Sequence, residues 1–249
     1  MKVNGFFAAL FVLGACATTA SAVPAVNISW DSCTGPSDKA ILPGTQASLY
    51  ASVLGMNEPH TGYQLKIRLA TGLPSGLPDA WRFDPTGCQG SAFLTIDHLA
   101  PAAVVKVCPS LQGALPSLQI KDYAYDAMTG VALTQLANAY PNGGLGNTTN
   151  VNPAQRYFMG RWLFDHSFSV LGATTPGVDC GGLGSAICQA SVTLNANQPP
   201  ASYVTVPGVE VPFAFQNQFV TTNGNIGGFC PGATPAAPRT WGSIKNQYR

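Results

Sequence analysis

Apolar and polar side chains alternate along much of this chain with a period of two. The clearest case is Tyr63-Gln64-Leu65-Lys66-Ile67-Arg68-Leu69, with Tyr, Leu, Ile and Leu on one face and Gln, Lys and Arg on the other. Successive side chains of a strand point to opposite faces, so the pattern predicts a half-buried strand. Residues 26–30 and 47–53 alternate likewise, and 91–96, 104–108 and 219–222 read as further strands. The segments 161–170 and 187–194 read as paired strands across the loop that holds Cys180 and Cys188. Val204, Val206, Val209, Val211, Phe213 and Phe215 give two short strands broken at Pro207-Gly208, because proline cannot donate to a ladder. A Pro/Gly turn at 73–78 delivers Trp81 and Phe83 to a common side.

Residues 122–140 are ambiguous. The stretch 133–139 can make two helical turns before Pro141, although isolated helices so short are marginal. Residues 142–153 form a glycine- and asparagine-rich loop. Short strands with turn signals at this spacing predict an all-β fold, an antiparallel β-sandwich or jelly-roll-like domain with long loops. Convincing crossover helices for parallel βαβ units are missing. Residues 223–238 read as a Gly/Pro-rich linker. In the tail, 239–249, Trp241, Ile244 and Tyr248 fall on one face of a short helix that Thr240 can cap.

The first 22 residues change the setting. Lys2, an apolar run from Gly5 to Ala15 and the Ala20-Ser21-Ala22 site make a secretory signal peptide. The domain layout is then signal 1–22, β domain 23–222, linker 223–238 and tail 239–249. The run is shorter than the roughly 20 apolar residues of a spanning helix, and no later stretch approaches that length. Leu13-Gly14-Ala15-Cys16 also resembles a lipobox, so lipidation at Cys16 is the alternative, with anchoring in place of release. Either way the chain is expected outside the cytoplasm, in the cell envelope or beyond.

Composition agrees with export. Charged residues make up 9% of the chain, against about a quarter in ordinary soluble domains. Without Lys2, eleven basic residues balance eleven acidic ones, which excludes a basic surface for nucleic acid or anionic lipid. Beyond Cys16 stand Cys33, Cys88, Cys108, Cys180, Cys188 and Cys230, an even set that argues for disulfides in an exported protein. Six cysteines allow many pairings. Spacing favours Cys180–Cys188 as a local clamp, Cys88–Cys108 between neighbouring strands and Cys33–Cys230 tying the ends.

Taken together, Trp30-Asp31-Ser32-Cys33, Trp81-Arg82-Phe83 running into Gly87-Cys88, the stretch from Cys180 to Cys188, and the terminal Trp241-Gly242-Ser243-Ile244-Lys245-Asn246-Gln247-Tyr248-Arg249 resemble a family of exported, cysteine-containing bacterial β proteins. The resemblance implies export and a β fold, and carries over no catalytic residue. The family pattern has a second cysteine soon after the Trp-x-x-Cys; none occurs here before Cys88.

Candidate chemistry is sparse. No G-x-S-x-G elbow, H-E-x-x-H, P-loop or dinucleotide fingerprint occurs. No C-x-x-C occurs either, so a zinc site is not indicated. Glu58-Pro59-His60, Asp97-His98 and Asp165-His166 put an acid beside each histidine, but a catalytic triad is built by tertiary geometry rather than adjacency. Asp122 and Asp126, with Asp31 and Asp38, are candidate ligands for a loop-bound calcium, although no EF-hand spacing is present. Trp81, Trp162, Tyr123, Tyr125, Tyr157 and Phe158 are candidates for a sugar-stacking platform, against the simpler reading that they are core.

The expected function is therefore a non-catalytic structural, adhesive or ligand-binding β protein, with glycans or other envelope proteins as partners. The alternative is a secreted hydrolase built from dispersed Asp and His residues. The tail is either a sorting or docking address, carried by Trp241, Ile244 and Tyr248, or a helix packed on its own domain.

Overall fold

The structure is a computed structural model that describes residues 23–42, 44–111, 118–139, 151–167, 191–205 and 208–223. The strands are β1 (Ala25–Trp30), β2 (Asp38–Lys39), β3 (Gln46–Leu54), β4 (His60–Thr71), β5 (Leu94–Asp97), β6 (Leu118–Asp126), β7 (Val131–Ala139), β8 (Tyr157–Asp165), β9 (Val192–Thr205), β10 (Glu210–Pro212), β11 (Ala214–Asn217) and β12 (Phe219–Thr222). They form two sheets. The smaller runs β11-β1-β3-β8-β5, and the larger runs β2-β12-β9-β4-β7-β6, with β10 also on β9. Most pairings are antiparallel. At the margins β11 runs parallel to β1 and β2 runs parallel to β12.

The alternation read in the sequence is what packs the sheets together. In β4, Tyr63, Leu65, Ile67 and Leu69 are buried while Gln64, Lys66 and Arg68 face outward. They meet Val26, Ile28 and Trp30 of β1, Leu49 and Val53 of β3, and Trp162 and Phe164 of β8 in one core. Among the described residues, three aromatic side chains donate hydrogen bonds across the sheets. The Trp30 indole donates to the Thr221 carbonyl (2.8 Å), the Tyr63 hydroxyl to the Met159 carbonyl (2.6 Å) and the Trp162 indole to the Thr134 hydroxyl (3.0 Å). Each lets a large aromatic enter the core without orphaning its polar tip.

Several expectations are corrected. Residues 133–139 belong to β7, not a helix, because Ala132, Thr134, Leu136 and Asn138 are all buried at the period of a strand. Residues 104–108 are a turn rather than a strand. The Val104 and Val105 amides donate back to the Pro101 carbonyl and the Cys108 amide to Val104, leaving Val105 and Val107 43% and 71% exposed. Strands β8 and β9 do not pair: β8 lies between β3 and β5 in the smaller sheet, and β9 between β12 and β4 in the larger.

The disulfide pairing is corrected too. Cys33 bonds to Cys108, with Cα atoms 6.4 Å apart, so neither Cys88–Cys108 nor Cys33–Cys230 forms. Tertiary contacts bring the pair together. Leu111 donates to Phe158 of β8 and Phe158 to Pro109, which lays residues 101–111 over the outer face of the smaller sheet. There Cys33, Cys108, Tyr50 and Phe158 form a second, small apolar cluster. Cys88 is also disulfide-bonded. Cys16, Cys180, Cys188, Cys230 and the tail residues Trp241, Ile244 and Tyr248 lie outside the described residues, and so do the expected clamp, linker and terminal helix.

Candidate functional site

The three histidines stand at the ends of three different strands. His60 starts β4, fully buried, with its ring 6.4 Å from that of Tyr63. His166 follows β8, also fully buried, with Nδ1 3.1 Å from the Ala80 carbonyl and its ring against Trp81 and Phe83. Burial lowers the pKa of each to about 4, so both are neutral at pH 7. His98, after β5, contacts Gln119 through Nε2 (2.7 Å). Burial lowers its pKa, and the charge of Lys121 lowers it further. The described contacts of His98 and His166 have no residue in common.

The acidic residues hold the fold together. Asp31 pairs with Lys39, Asp38 accepts from the Thr221 hydroxyl, and Asp97 pairs with Arg161. Asp126 accepts from the Met128 amide and the Thr129 hydroxyl, which hold its carboxyl below the usual range. Asp122 and Asp126 share a strand face four residues apart, a separation of about 13 Å along a strand, too long for one ion. Among the described residues no three of His, Cys, Asp and Glu gather as a metal would need. The six aromatics do not form a platform. Trp81, Trp162 and Phe158 are fully buried, the Tyr123 hydroxyl donates to the Trp81 carbonyl, and Arg82 lies over the Tyr125 ring.

What the fold does present is an edge. Strand β6 pairs with β7 over all nine residues, and its other side meets no described strand. Its residues are exposed or half-exposed throughout. Register with β7 and β4 sets its faces: Leu118, Ile120, Asp122, Ala124 and Asp126 share the outer face with Ala137, Ala139, Gln64 and Lys66. Gln119, Lys121, Tyr123 and Tyr125 point inward.

A cavity borders each face of this edge. On the outside, a groove of about 570 Å³ runs over Leu118, Ile120, Ala137 and Ala139 to Val204. Leu118 and Ile120 are 69% and 59% exposed there. On the inside, a cleft of about 450 Å³ lies between β6 and the outermost strand of the other sheet, β5. Phe83, Leu94, Ile96, Lys121 and Tyr123 line it. Sequence reading missed this site, because 122–140 carries charged or polar residues on both faces of the first strand and so gives no one-sided stripe.

No protein-family model matches the chain, and no curated protein matches it in sequence. Solved structures with some likeness are cohesins. A type II cohesin domain from the cellulosome of Acetivibrio cellulolyticus is 10% identical, with 81% of this chain and 96% of that one covered and a TM-score of 0.43. The cohesin module of a Clostridium perfringens family 33 glycoside hydrolase is 8% identical, covering 81% and 97%, with a TM-score of 0.38. CaCohA2 from Clostridium acetobutylicum is 7% identical, covering 86% and 94%, with a TM-score of 0.36. At these scores the likeness assigns neither a family nor a function.

Proposed function

We propose that this chain is an exported, non-catalytic binding module whose larger sheet takes up an extended segment of a partner protein along β6. The observation that carries the reading is the nine-residue edge that no described strand pairs, with a cavity on either face. An added strand gains main-chain hydrogen bonds from the edge, and its alternate side chains enter the two cavities in turn. Histidines on separate strands, with Asp31, Asp38 and Asp97 held by partners within the fold, support binding over hydrolysis. A buried disulfide between Cys33 and Cys108 supports an oxidising compartment, as the signal peptide does.

The test is selection of a library of displayed short peptides on the purified full chain, followed by hydrogen–deuterium exchange of the best complex. The expected result is binders that slow exchange at the amides of 118–126. Binders that protect only other strands, or a library that returns none, would overturn the reading.

A further inference from the structure

The two faces of β6 differ in chemistry, and that difference specifies a partner. On the outer face the order along the strand is Leu118, Ile120, Asp122, Ala124, Asp126: apolar at one end, acidic at the other. The apolar end opens on the groove formed with Ala137 and Ala139. Asp122 and Asp126 make no ion pair among the described residues. The one cation of the strand, Lys121, is on the opposite face, in the cleft, and the outer-face cations Lys66 and Arg68 stand two strands away on β4.

A residue placed directly opposite another across two strands has its Cβ about 5 Å away, so each outer-face position selects its partner. Opposite Leu118 and Ile120 an apolar side chain gains burial. Opposite Asp122 and Asp126 a basic one gains attraction. A second copy of β6 fits poorly at full length, since the one antiparallel self-pairing that uses all nine residues is centred on Asp122 and sets two aspartates against each other.

We infer that the occupant of the edge is an extended, antiparallel segment that is basic in its first half and apolar in its second. Two basic side chains face Asp126 and Asp122, and two aliphatic ones enter the groove at Ile120 and Leu118. An apolar inward residue opposite Tyr123 fills the cleft toward Leu94 and Ile96. The inference rests on the strand-addition reading and adds to it the partner's charge and polarity.

The test uses two synthetic nine-residue peptides and the full chain at low salt, with binding read by fluorescence polarisation. Both place valine opposite Tyr123, threonine at the other inward-facing positions and alanine opposite Ala124. One carries lysine opposite Asp126 and Asp122 and valine opposite Ile120 and Leu118; the other replaces both lysines by glutamate. The lysine peptide is expected to bind about five-fold or more tighter, a preference that shrinks with added salt. Asp122→Asn keeps the acceptor of the Tyr123 amide and should reduce the preference, while Asp122→Lys should reverse it. Equal affinity of the two peptides, binding of neither, or a preference unchanged in Asp122→Lys would overturn the inference. The strand-addition reading is judged separately, by the library selection and its exchange footprint.

Discussion

His166 shows how a single buried side chain makes the whole domain acid-sensitive. Its Nδ1 faces the Ala80 carbonyl, and Nε2 has no hydrogen-bond partner among the described residues. A proton added there meets a burial cost that the charge of neighbouring Asp165 only partly offsets, and His60 is buried too. Burial lowers both pKa values from 6.5 to about 4. Between these values the unfolded chain binds more protons than the folded one, so stability is intact above pH 6.5 and falls as the pH drops toward 4. Each histidine contributes up to about 3 kcal/mol to that loss. The expected outcome is a melting temperature that declines from pH 6.5 to pH 4, and a shallower decline in His166→Phe. A flat profile would remove the effect. Thr134 acts at the same scale: its hydroxyl accepts from the Trp162 indole and donates to the Asp122 carbonyl. Thr134→Val leaves the indole unpaired in the core, and urea denaturation should show a loss of about 1–3 kcal/mol.

The hairpin of β6 and β7 is anchored by glycines. Gly130, with φ of +66°, closes the turn by donating to the Asp126 carbonyl, and its own carbonyl accepts from Leu77. Across from it Gly76 has φ of +76°, and a Cβ on Gly76 would stand 2.6 Å from the Gly130 Cα. Two backbones approach here with no room for a side chain, in a conformation that disfavours one anyway. Gly76→Ala is expected to cost at least about 1 kcal/mol. Because it unseats the turn beside β6, hydrogen exchange should quicken in 118–139 before it quickens in β1 and β3. Uniform loss of protection over both sheets would show that the hairpin is not a separate unit.

Across the whole molecule, Cys33–Cys108 closes a loop with a sequence separation of 75 that contains β2, β3, β4 and β5. A closure of that length removes unfolded-state entropy worth about 4 kcal/mol in the loop model. The double substitution Cys33→Ser with Cys108→Ser should lower stability by about that amount in urea, with the two-sheet circular dichroism retained. The cross-link also fastens residues 101–111 over Tyr50 and Phe158, so proteolysis of the variant should begin there.

Residue patterning alone specifies the strands whose one face is wholly apolar. In β4 the run Tyr63, Leu65, Ile67, Leu69 leaves a strand one way to bury itself, and β1 and β3 follow the same rule. It likewise determined that Trp81 and Phe83 share a side, since both enter the same core. Tertiary structure decided what alternation does not encode. Leu133 and Leu136 sit at helical spacing, yet hydrogen bonding to β4 and β6 fixes residues 131–139 as a strand. The partner of Cys33 depends on where residues 101–111 lie, which is set by contacts with Phe158 rather than by spacing. The candidate site rests on β6 being the last described strand of its sheet, because which strands become neighbours is a property of the assembled fold.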